Sequence, residues 1–286
     1  MKITFHQVHF AYEHFGEAAP GEKEFQLRGL SFEIGGAEFV AIAGRSGSGK
    51  TTLLQMFNGL LRPQRGEILV DDQNIHAPGY DVTALRRRLG LAFQFPEAQL
   101  FAATVREDIA FAPQQQKLPS GEIAARTRQA LQEVGLTEIF LDRDPFTLSE
   151  GEKRRTALAG ILAMQPEMLI LDEPTAGLDA RGVAEIKALL RLWSQRGRGL
   201  IMISHDTDLI AALAQRVLVL HEGAILFDGK PSELWPLSPH PSTLTVAHTG
   251  VIAQAGLAEP RSVRLARKLE KLGLSPSELE QLLARD

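Results

Sequence analysis

The segment Gly44-Arg45-Ser46-Gly47-Ser48-Gly49-Lys50-Thr51 fits the pattern G-x-x-x-x-G-K-[ST] at every fixed position. The apolar run Phe39–Ala43 before it is typical of a buried strand, and residues 52–60 after it are typical of a helix. Glycines let consecutive backbone N–H groups point at phosphate oxygens, and the positive end of the helix attracts the same charge. The flanking strand and helix disfavour the plainer alternative, a glycine-rich turn without a ligand.

The segment therefore predicts a nucleotide site at residues 44–52, ending with Thr52. Lys50 is expected to reach the β- and γ-phosphates, and the Thr51 hydroxyl is expected to bind Mg²⁺. The pattern alone indicates a nucleotide and leaves open which kind of protein uses it.

The bulk properties of the chain exclude several other classes. At 286 residues the chain can bury a full α/β core with room for an appendage, and a net charge of −4 argues against a surface built mainly to bind polyanions. It has no cysteine, which excludes disulfides, thiolate metal sites and cysteine nucleophiles. No signal peptide and no apolar run of roughly 20 residues is evident, so we expect a soluble chain whose membrane role would depend on a partner.

Strand-like and helix-like segments alternate along the chain, which predicts an α/β fold with a doubly wound parallel sheet. The middle, from about residue 95 to 164, is rich in helix formers and reads as an inserted helical subdomain. In the tail, residues 231–241 read as a linker, 261–271 as a helix and 275–278 as a capping box. The remaining predicted strands are 3–10, 30–34, 66–70, 168–171 and 200–204, with helices at 121–134, from about 149, and at 180–194, and a hairpin at 217–227.

A second chemical feature is the apolar strand Met168-Leu169-Ile170-Leu171, which ends in two carboxylates. Asp172 is well placed to hold Mg²⁺ through water, and Glu173 to orient or deprotonate an attacking water. A solvated strand terminus is the bland alternative for such a pair. Together with the phosphate loop, the acids predict a catalytic centre that hydrolyses a nucleotide.

Leu148-Ser149-Glu150-Gly151-Glu152, shortly before the acidic strand, resembles the LSGGQ signature of ATP-binding cassettes (ABC proteins). The resemblance covers roughly residues 1–230. It implies that Ser149, Gly151 and the residue in the glutamine position, Glu152, contact ATP on an opposing subunit. The other family elements occur in order, and the resemblance implies adenine stacking by Tyr12, Mg²⁺ and membrane-partner sensing by Gln94, a D-loop at Asp179 and γ-phosphate contact by the switch histidine His205. Singly, each of these residues is more often a plain surface or structural residue, so their order and spacing carry the argument.

The resemblance also implies a fold and a domain division. The fold would be that of a P-loop NTPase with a RecA-like parallel-sheet lobe and an antiparallel β part, formed by residues 1–94 and 166–230. A helical signature subdomain would occupy residues 95–165. A linker and a small helical C-terminal extension would occupy residues 231–286.

Two stretches narrow the resemblance to one subfamily. Residues 91–101, Leu-Ala-Phe-Gln-Phe-Pro-Glu-Ala-Gln-Leu-Phe, and residues 256–272 are similar to the ATPase subunits of energy-coupling factor importers, which take up vitamins or cobalt and nickel ions. This implies ATP and Mg²⁺ as cofactors, a second cassette (identical or different) and integral membrane subunits as partners, and a peripheral position at the cytoplasmic face of the membrane. The cargo would be chosen by other subunits, and no nucleic acid is expected.

The signature departs from the family pattern at Glu150 and Glu152. A carboxylate about 4 Å from a triphosphate costs roughly 1 kcal/mol in water and about 4 kcal/mol at a protein-like dielectric. Ser149-x-x-Glu152 is also a capping box, and Lys153, Arg154 and Arg155 could offset the charge. We expect Glu150 to turn away from the phosphate; a weakened site in an asymmetric dimer is the alternative.

Other classes of ABC protein remain as alternatives. ATPases of DNA repair or chromosome structure insert long coiled coils, and residues 52–147 show no sustained heptads. Translation-associated members normally carry two cassettes in one chain. An exporter or lipid-transport cassette differs chiefly in the loop around Gln94.

Overall fold

The computed structural model describes residues 1–12, 26–236 and 246–271, and side chains are described except at 246–249 and 269–271. The central sheet has six strands in the order β10-β9-β3-β8-β7-β6, in which only the β9–β10 pair is antiparallel. These strands are β3 (Phe39–Ala43), β6 (Leu89–Ala92), β7 (Met168–Asp172), β8 (Gly199–Ile203), β9 (Arg216–His221) and β10 (Ala224–Gly229). Because carboxyl ends of parallel strands share one edge, the loops after β3, β6, β7 and β8 all open there.

A second, antiparallel sheet packs beside the first. Its order is β2-β1-β4-β5, formed by β1 (Ile3–Phe10), β2 (Leu27–Ile34), β4 (Arg65–Val70) and β5 (Gln73–Asn74). Helix α1 (Lys50–Phe57) contributes its buried face to the same core, where the Phe5 ring stacks on Phe32 at 4.6 Å and meets Phe57 edge-on at 4.9 Å. This packing anchors the helix that follows the phosphate loop.

The period-two alternation of the buried strands divides the interior into two cores. In β3, Val40 and Ile42 face the core shared with the antiparallel sheet, whereas Phe39, Ala41 and Ala43 face the other. Helices cover that second face, and each contributes buried residues to this core. They are α3 (Val105–Gln115), α4 (Ser120–Glu133), α5 (Glu150–Leu162), α6 (Ala180–Gln195), α7 (Thr207–Leu213) and α9 (Val246–Ala255). The α/β architecture with parallel and antiparallel sheets is confirmed.

Most predicted elements are present, with shifted ends. The helix predicted over 52–60 begins at Lys50 and ends at Phe57, and Gly59 follows with a left-handed φ of 66°. Helix α2 (Val82–Arg88) and strand β6 were not predicted, because both are short. Helix α3 was not delimited, since it contains Pro113, which usually breaks a helix.

The tail differs in part from the prediction. Residues predicted as the start of a linker form one helical turn, α8 (Pro231–Leu234), because Leu234 and Trp235 are buried. Helix α10 (Arg261–Lys271) is confirmed with its predicted bounds. Residues 237–241 of the predicted linker and the predicted capping box at 275–278 lie outside the described residues.

The division into lobes at residues 94/95, 165/166 and 230/231 stays a prediction, although α3, α4 and α5 pack on one another within the middle segment. No helix within the described residues combines the length and the apolar character that crossing a bilayer requires.

Candidate active site

The loop between β3 and α1 has a backbone that admits only glycine at its ends. Gly44 has a φ of 150°, and a Cβ there would lie 2.2 Å from the carbonyl oxygen of Leu220. Gly49 has a φ of 103°, and a Cβ there would lie 2.8 Å from Leu27 Cδ2. The two glycines let the chain turn sharply against β9 and β2 and enter α1 directly.

The start of α1 is shaped for an anion. Its N-cap is Gly49, which has no capping side chain, and its first turn has no acidic residue. The amide groups of the first turn are therefore available to negatively charged oxygens. Among the described residues, the buried Ser48 Oγ also has no hydrogen-bond partner. A cradle of this kind fits a phosphate group.

The exposed part of the loop consists of Arg45, Ser46 and Gly47. Arg45 packs against Gly256, in the turn after α9. A Cβ added to Gly256 would lie 2.9 Å from the Cδ of Arg45. The C-terminal extension therefore contacts the phosphate loop directly. Nothing in the sequence indicated this contact.

Lys50 is half-buried at the first position of α1. Its Nζ donates to the carbonyl oxygens of Gly44 and Arg45, each at 2.8 Å. Burial lowers the pKa of Lys50, while the charges of Glu173 and Asp172 act in the opposite direction. The structure thus brings the lysine into the electrostatic range of both predicted carboxylates.

The two carboxylates occupy the predicted place at the end of β7. Burial, followed by the charge of Glu173, raises the pKa of Asp172, and Lys50 partly opposes this. Glu173 has a left-handed φ of 48°, and its N–H donates to the carbonyl of Ile203 at 2.9 Å. Left-handed backbone at a residue other than glycine is costly and recurs at functional sites.

His205 and Ser204, which directly follow the neighbouring strand β8, hold the Glu173 carboxylate. The Nδ1 of His205 lies 2.8 Å from Glu173 Oε1, and the Ser204 hydroxyl donates to Oε2 at 3.3 Å. The His205 side chain is 75% exposed, whereas Ser204 is buried. Glu173 and His205, which were predicted with separate roles, therefore meet. Ser204 is a contact that the sequence reasoning missed, although its position beside His205 could have suggested it.

Tyr12 lies beside the start of α1. Its hydroxyl is 3.2 Å from Thr52 Oγ1, its ring meets Phe10 edge-on at 4.9 Å, and 45% of the residue is exposed. The exposed ring next to the phosphate loop has room to stack on a base. Gln94 and Thr51 are exposed as well, after β6 and in the first turn of α1 respectively.

The signature residues form a separate cluster. Ser149 caps α5, and Asp179 caps α6 by accepting the Gly182 N–H at 2.8 Å. With Gly151 and Glu152 they line a cavity of about 440 Å³, whose lining of described residues contains no residue of the phosphate loop. The signature cluster and the phosphate loop are therefore two separate places on the chain.

The two signature glutamates have local partners. Ser149 and Glu152 form the predicted capping box, in which the Ser149 hydroxyl donates to Glu152 at 2.7 Å and thereby lowers the pKa of that carboxyl. Glu150 pairs with Lys153 at 2.9 Å and is 68% exposed in its side chain. The expectation that Arg154 offsets the signature charge is wrong, because Arg154 is buried and pairs with Glu97.

The raised pKa of Asp172 makes a testable prediction for the nucleotide-free protein. An acid whose pKa is higher in the folded state than in the unfolded state destabilises the fold above its folded pKa, and this cost vanishes below the unfolded pKa. Asparagine has no such cost. We expect Asp172→Asn to melt a few degrees above the wild type at neutral pH, with the difference shrinking as the pH falls towards the ordinary carboxyl range. Thermal melts across this pH range check it, and an equal or lower melting temperature at neutral pH would contradict it.

The chain is similar to known proteins in both sequence and structure. A family model described as ABC transporter matches residues 27–176. The chain is similar to the energy-coupling factor transporter ATP-binding protein EcfA2 of Clostridium tetani, at 41% identity over 92% of this chain and 88% of the relative. The EcfA2 protein of Symbiobacterium thermophilum is 44% identical over 87% of this chain and 83% of its own length.

Two solved structures of ABC transporter proteins have a similar fold. CbiO1 from Clostridium perfringens, described as part of the ABC transporter complex CbiONQ, superposes with a TM-score of 0.74 at 36% identity, over 94% of this chain and 98% of CbiO1. The ATP-binding cassette MJ0796, solved as a dimer in a post-hydrolysis state bound to ADP and Pi, gives a TM-score of 0.70 at 28% identity, over 80% of this chain and 98% of MJ0796.

Proposed function

The chain belongs to the ABC transporter family, and from this premise we propose that it is the ATP-hydrolysing subunit of an importer of the energy-coupling factor type. It binds ATP and converts it to ADP and phosphate. The observation that supports the proposal is the separation of two clusters on one chain, one with Lys50 and Glu173 and the other with Ser149 and Gly151. We propose that each cluster is half of a nucleotide site. Each half-site is completed by the opposite half-site of a second cassette.

The first half-site holds the nucleotide. Residues 44–52 surround the phosphates with amide groups and the Lys50 ammonium, and Tyr12 stacks on the adenine. Thr51, Asp172 and Gln94 would hold Mg²⁺, which when bound neutralises charge on the phosphate oxygens. The oxygen donors of these three side chains suit this hard cation, and Asp172 shows the raised pKa of a buried acid that a cation would relieve.

Glu173 acts on the attacking water. In the left-handed conformation at the end of β7 its carboxylate is fixed by Ser204 at Oε2 and by His205 at Oε1. A carboxylate held from two sides loses little freedom when it orients a water molecule and accepts its proton. The exposed imidazole edge of His205 is the part of this pair that can contact the γ-phosphate.

The second half-site and the partner explain how nucleotide drives motion. Ser149 and Gly151 of one cassette contact the phosphates held by the other, with Glu152 and Asp179 beside them. Because ATP binds the closed dimer more tightly than the open one, ATP closes the dimer and hydrolysis releases it. Both an identical and a different second cassette are compatible with this scheme.

The proposed membrane attachment is peripheral, at the cytoplasmic face, through an integral membrane subunit docked near Gln94. Beyond Gln94 the structure has a cleft of about 240 Å³ between α3 and α5, rimmed by Phe101 and Phe111, whose rings meet edge-on at 5.0 Å. Both phenylalanines are exposed. An exposed apolar cleft in this position suits a helix of a membrane partner. The transported class would be vitamins or transition-metal ions, chosen by other subunits.

The proposal is tested by measuring ATP turnover of the full chain with magnesium, and by identifying the proteins that remain bound after gentle membrane solubilisation. We expect ATP hydrolysis and co-purification of integral membrane proteins and a cassette. A chain that binds no ATP under these conditions, or that purifies with ribosomes or nucleic acid, would overturn the proposal.

The ion pair of Glu150 with Lys153 predicts a small effect of the irregular signature. Because Glu150 is exposed and already paired, we expect Glu150→Gly to change ATP turnover by less than about threefold. Glu150→Ala is the matched control, since glycine also weakens the start of α5. A large gain in turnover in both variants would show that this glutamate inhibits the site, as in the asymmetric alternative.

A further inference from the structure

Arg154 is a buried cation on α5, just beyond the signature segment. Only 2% of its surface is exposed, so its charge requires close partners. Its Nε and Nη2 donate to the two carboxylate oxygens of Glu97 at 3.0 and 2.6 Å. Its Nη1 donates to the carbonyl oxygens of Ala176 at 2.6 Å and Pro174 at 3.3 Å. The guanidinium carbon also lies 5.5 Å from the centre of the Phe95 ring.

Arg154 and its partners lie on three different segments of the candidate site. Glu97 lies in the 3₁₀ turn Pro96–Gln99, which Phe95 separates from Gln94. Pro174 follows Glu173, and the Ala176 N–H donates back to the Glu173 carbonyl at 3.1 Å. Arg154 itself is on the helix that Ser149 caps. One guanidinium thus joins the loop after β6, the signature helix and the turn that leads out of the candidate catalytic acid.

A gain in fold stability does not by itself explain why this ion pair is buried. Two desolvated charges seldom stabilise a fold more than apolar side chains of the same volume would, and in some proteins such a pair instead fixes one geometry. The planar guanidinium provides donors in a fixed fork, so that a carboxylate on one side sets the orientation of the donors to the two carbonyls on the other. A lysine provides a single point of charge and has no such fork.

We propose that Arg154 is a positioning residue for ATP hydrolysis, which sets Glu173 and the signature helix according to the position of the loop that bears Gln94 and Glu97. The proposal rests on the proposed function. A membrane subunit that moves this loop would act first on Glu97 and, through Arg154, on the Pro174–Ala176 turn. Arg154 contacts no residue of the phosphate loop among its described hydrogen bonds, so ATP binding should be spared.

The test compares Arg154→Lys and Glu97→Gln with the wild type in the full chain, purified with the partners that remain bound after gentle solubilisation. We expect kcat for ATP to fall on the order of 10–100-fold, as for a small misplacement of catalytic groups, with KM changed by less than about twofold. Arg106→Lys is the matched control, because Arg106 makes an exposed pair with Asp142 in the same helical region. It should keep the wild-type kcat.

The double variant tests whether Arg154 and Glu97 act as one unit, and the split between kcat and KM separates positioning from a purely structural role. If Arg154 and Glu97 act as one unit, Arg154→Lys combined with Glu97→Gln should lower kcat little further than Arg154→Lys alone. If Arg154→Lys does not fold, Glu97→Gln carries the test, since it keeps the size and shape of the side chain. Wild-type kcat in the folded variants, or a loss of activity that only follows the unfolded fraction in thermal melts, would overturn the proposal. Absence of ATP binding in the wild type would instead overturn the proposed function.

Discussion

Replacing Glu173 with glutamine is expected to leave ATP binding intact and to lower the turnover number by about 10²- to 10⁴-fold, the usual worth of a positioned general base. The amide has the size of the carboxylate and can still meet Ser204 and His205, which hold Glu173 at 3.3 and 2.8 Å. It cannot accept the proton of the attacking water. Steady-state ATPase kinetics together with equilibrium ATP binding measure the two effects separately.

The same variant should also accumulate as a closed dimer in ATP and magnesium, because hydrolysis is the step that reopens it. Size-exclusion chromatography with and without ATP detects this. Glu138→Gln is the control, since Glu138 is an exposed acid of the helical region and should behave as the wild type in both assays. Hydrolysis by Glu173→Gln at the parental rate would remove Glu173 from its proposed role.

Replacing Lys50 with methionine is expected to weaken ATP binding on the order of 10²- to 10³-fold, in the range found when one partner of a desolvated charge pair is removed. The methionine fills much of the same space at the start of α1, but leaves the phosphates without the ammonium. The melting temperature of the nucleotide-free protein should not fall. Burial lowers the pKa of Lys50, so at neutral pH the buried ammonium destabilises the fold, and methionine removes this cost.

Equilibrium ATP titration and thermal melts of the same samples check this prediction. Lys117→Met is the matched control, because Lys117 is exposed between α3 and α4 and lies outside both half-sites. Unchanged ATP affinity in Lys50→Met would contradict the assignment of the phosphate loop. Weaker binding accompanied by a large drop in melting temperature would show that the lysine acts mainly through the fold.

Features that depend on neighbouring residues were predictable from the chain alone. The phosphate loop follows from glycines whose left-handed backbone other residues rarely adopt, placed between an apolar strand and a helix. The capping box of Ser149 and Glu152 is likewise a contact between residues within one helical turn. The sequence could not delimit α3, because Pro113 inside it normally ends a helix. The helix continues past this proline because it packs on α4 and α5.

By itself, then, the sequence determined the phosphate loop, the acidic strand end, the helix caps and the family to which these belong, since each is written in residues close along the chain. The tertiary structure alone decided which distant groups meet. The placement of β3 between β8 and β9, with β7 beyond β8, brings Lys50 close enough to Asp172 and Glu173 for their charges to interact. The same placement brings His205 against Glu173. The burial of Arg154 against Glu97 and the separation of the signature from the phosphate loop have the same origin. Both depend on how sheets and helices pack, which local patterns do not specify.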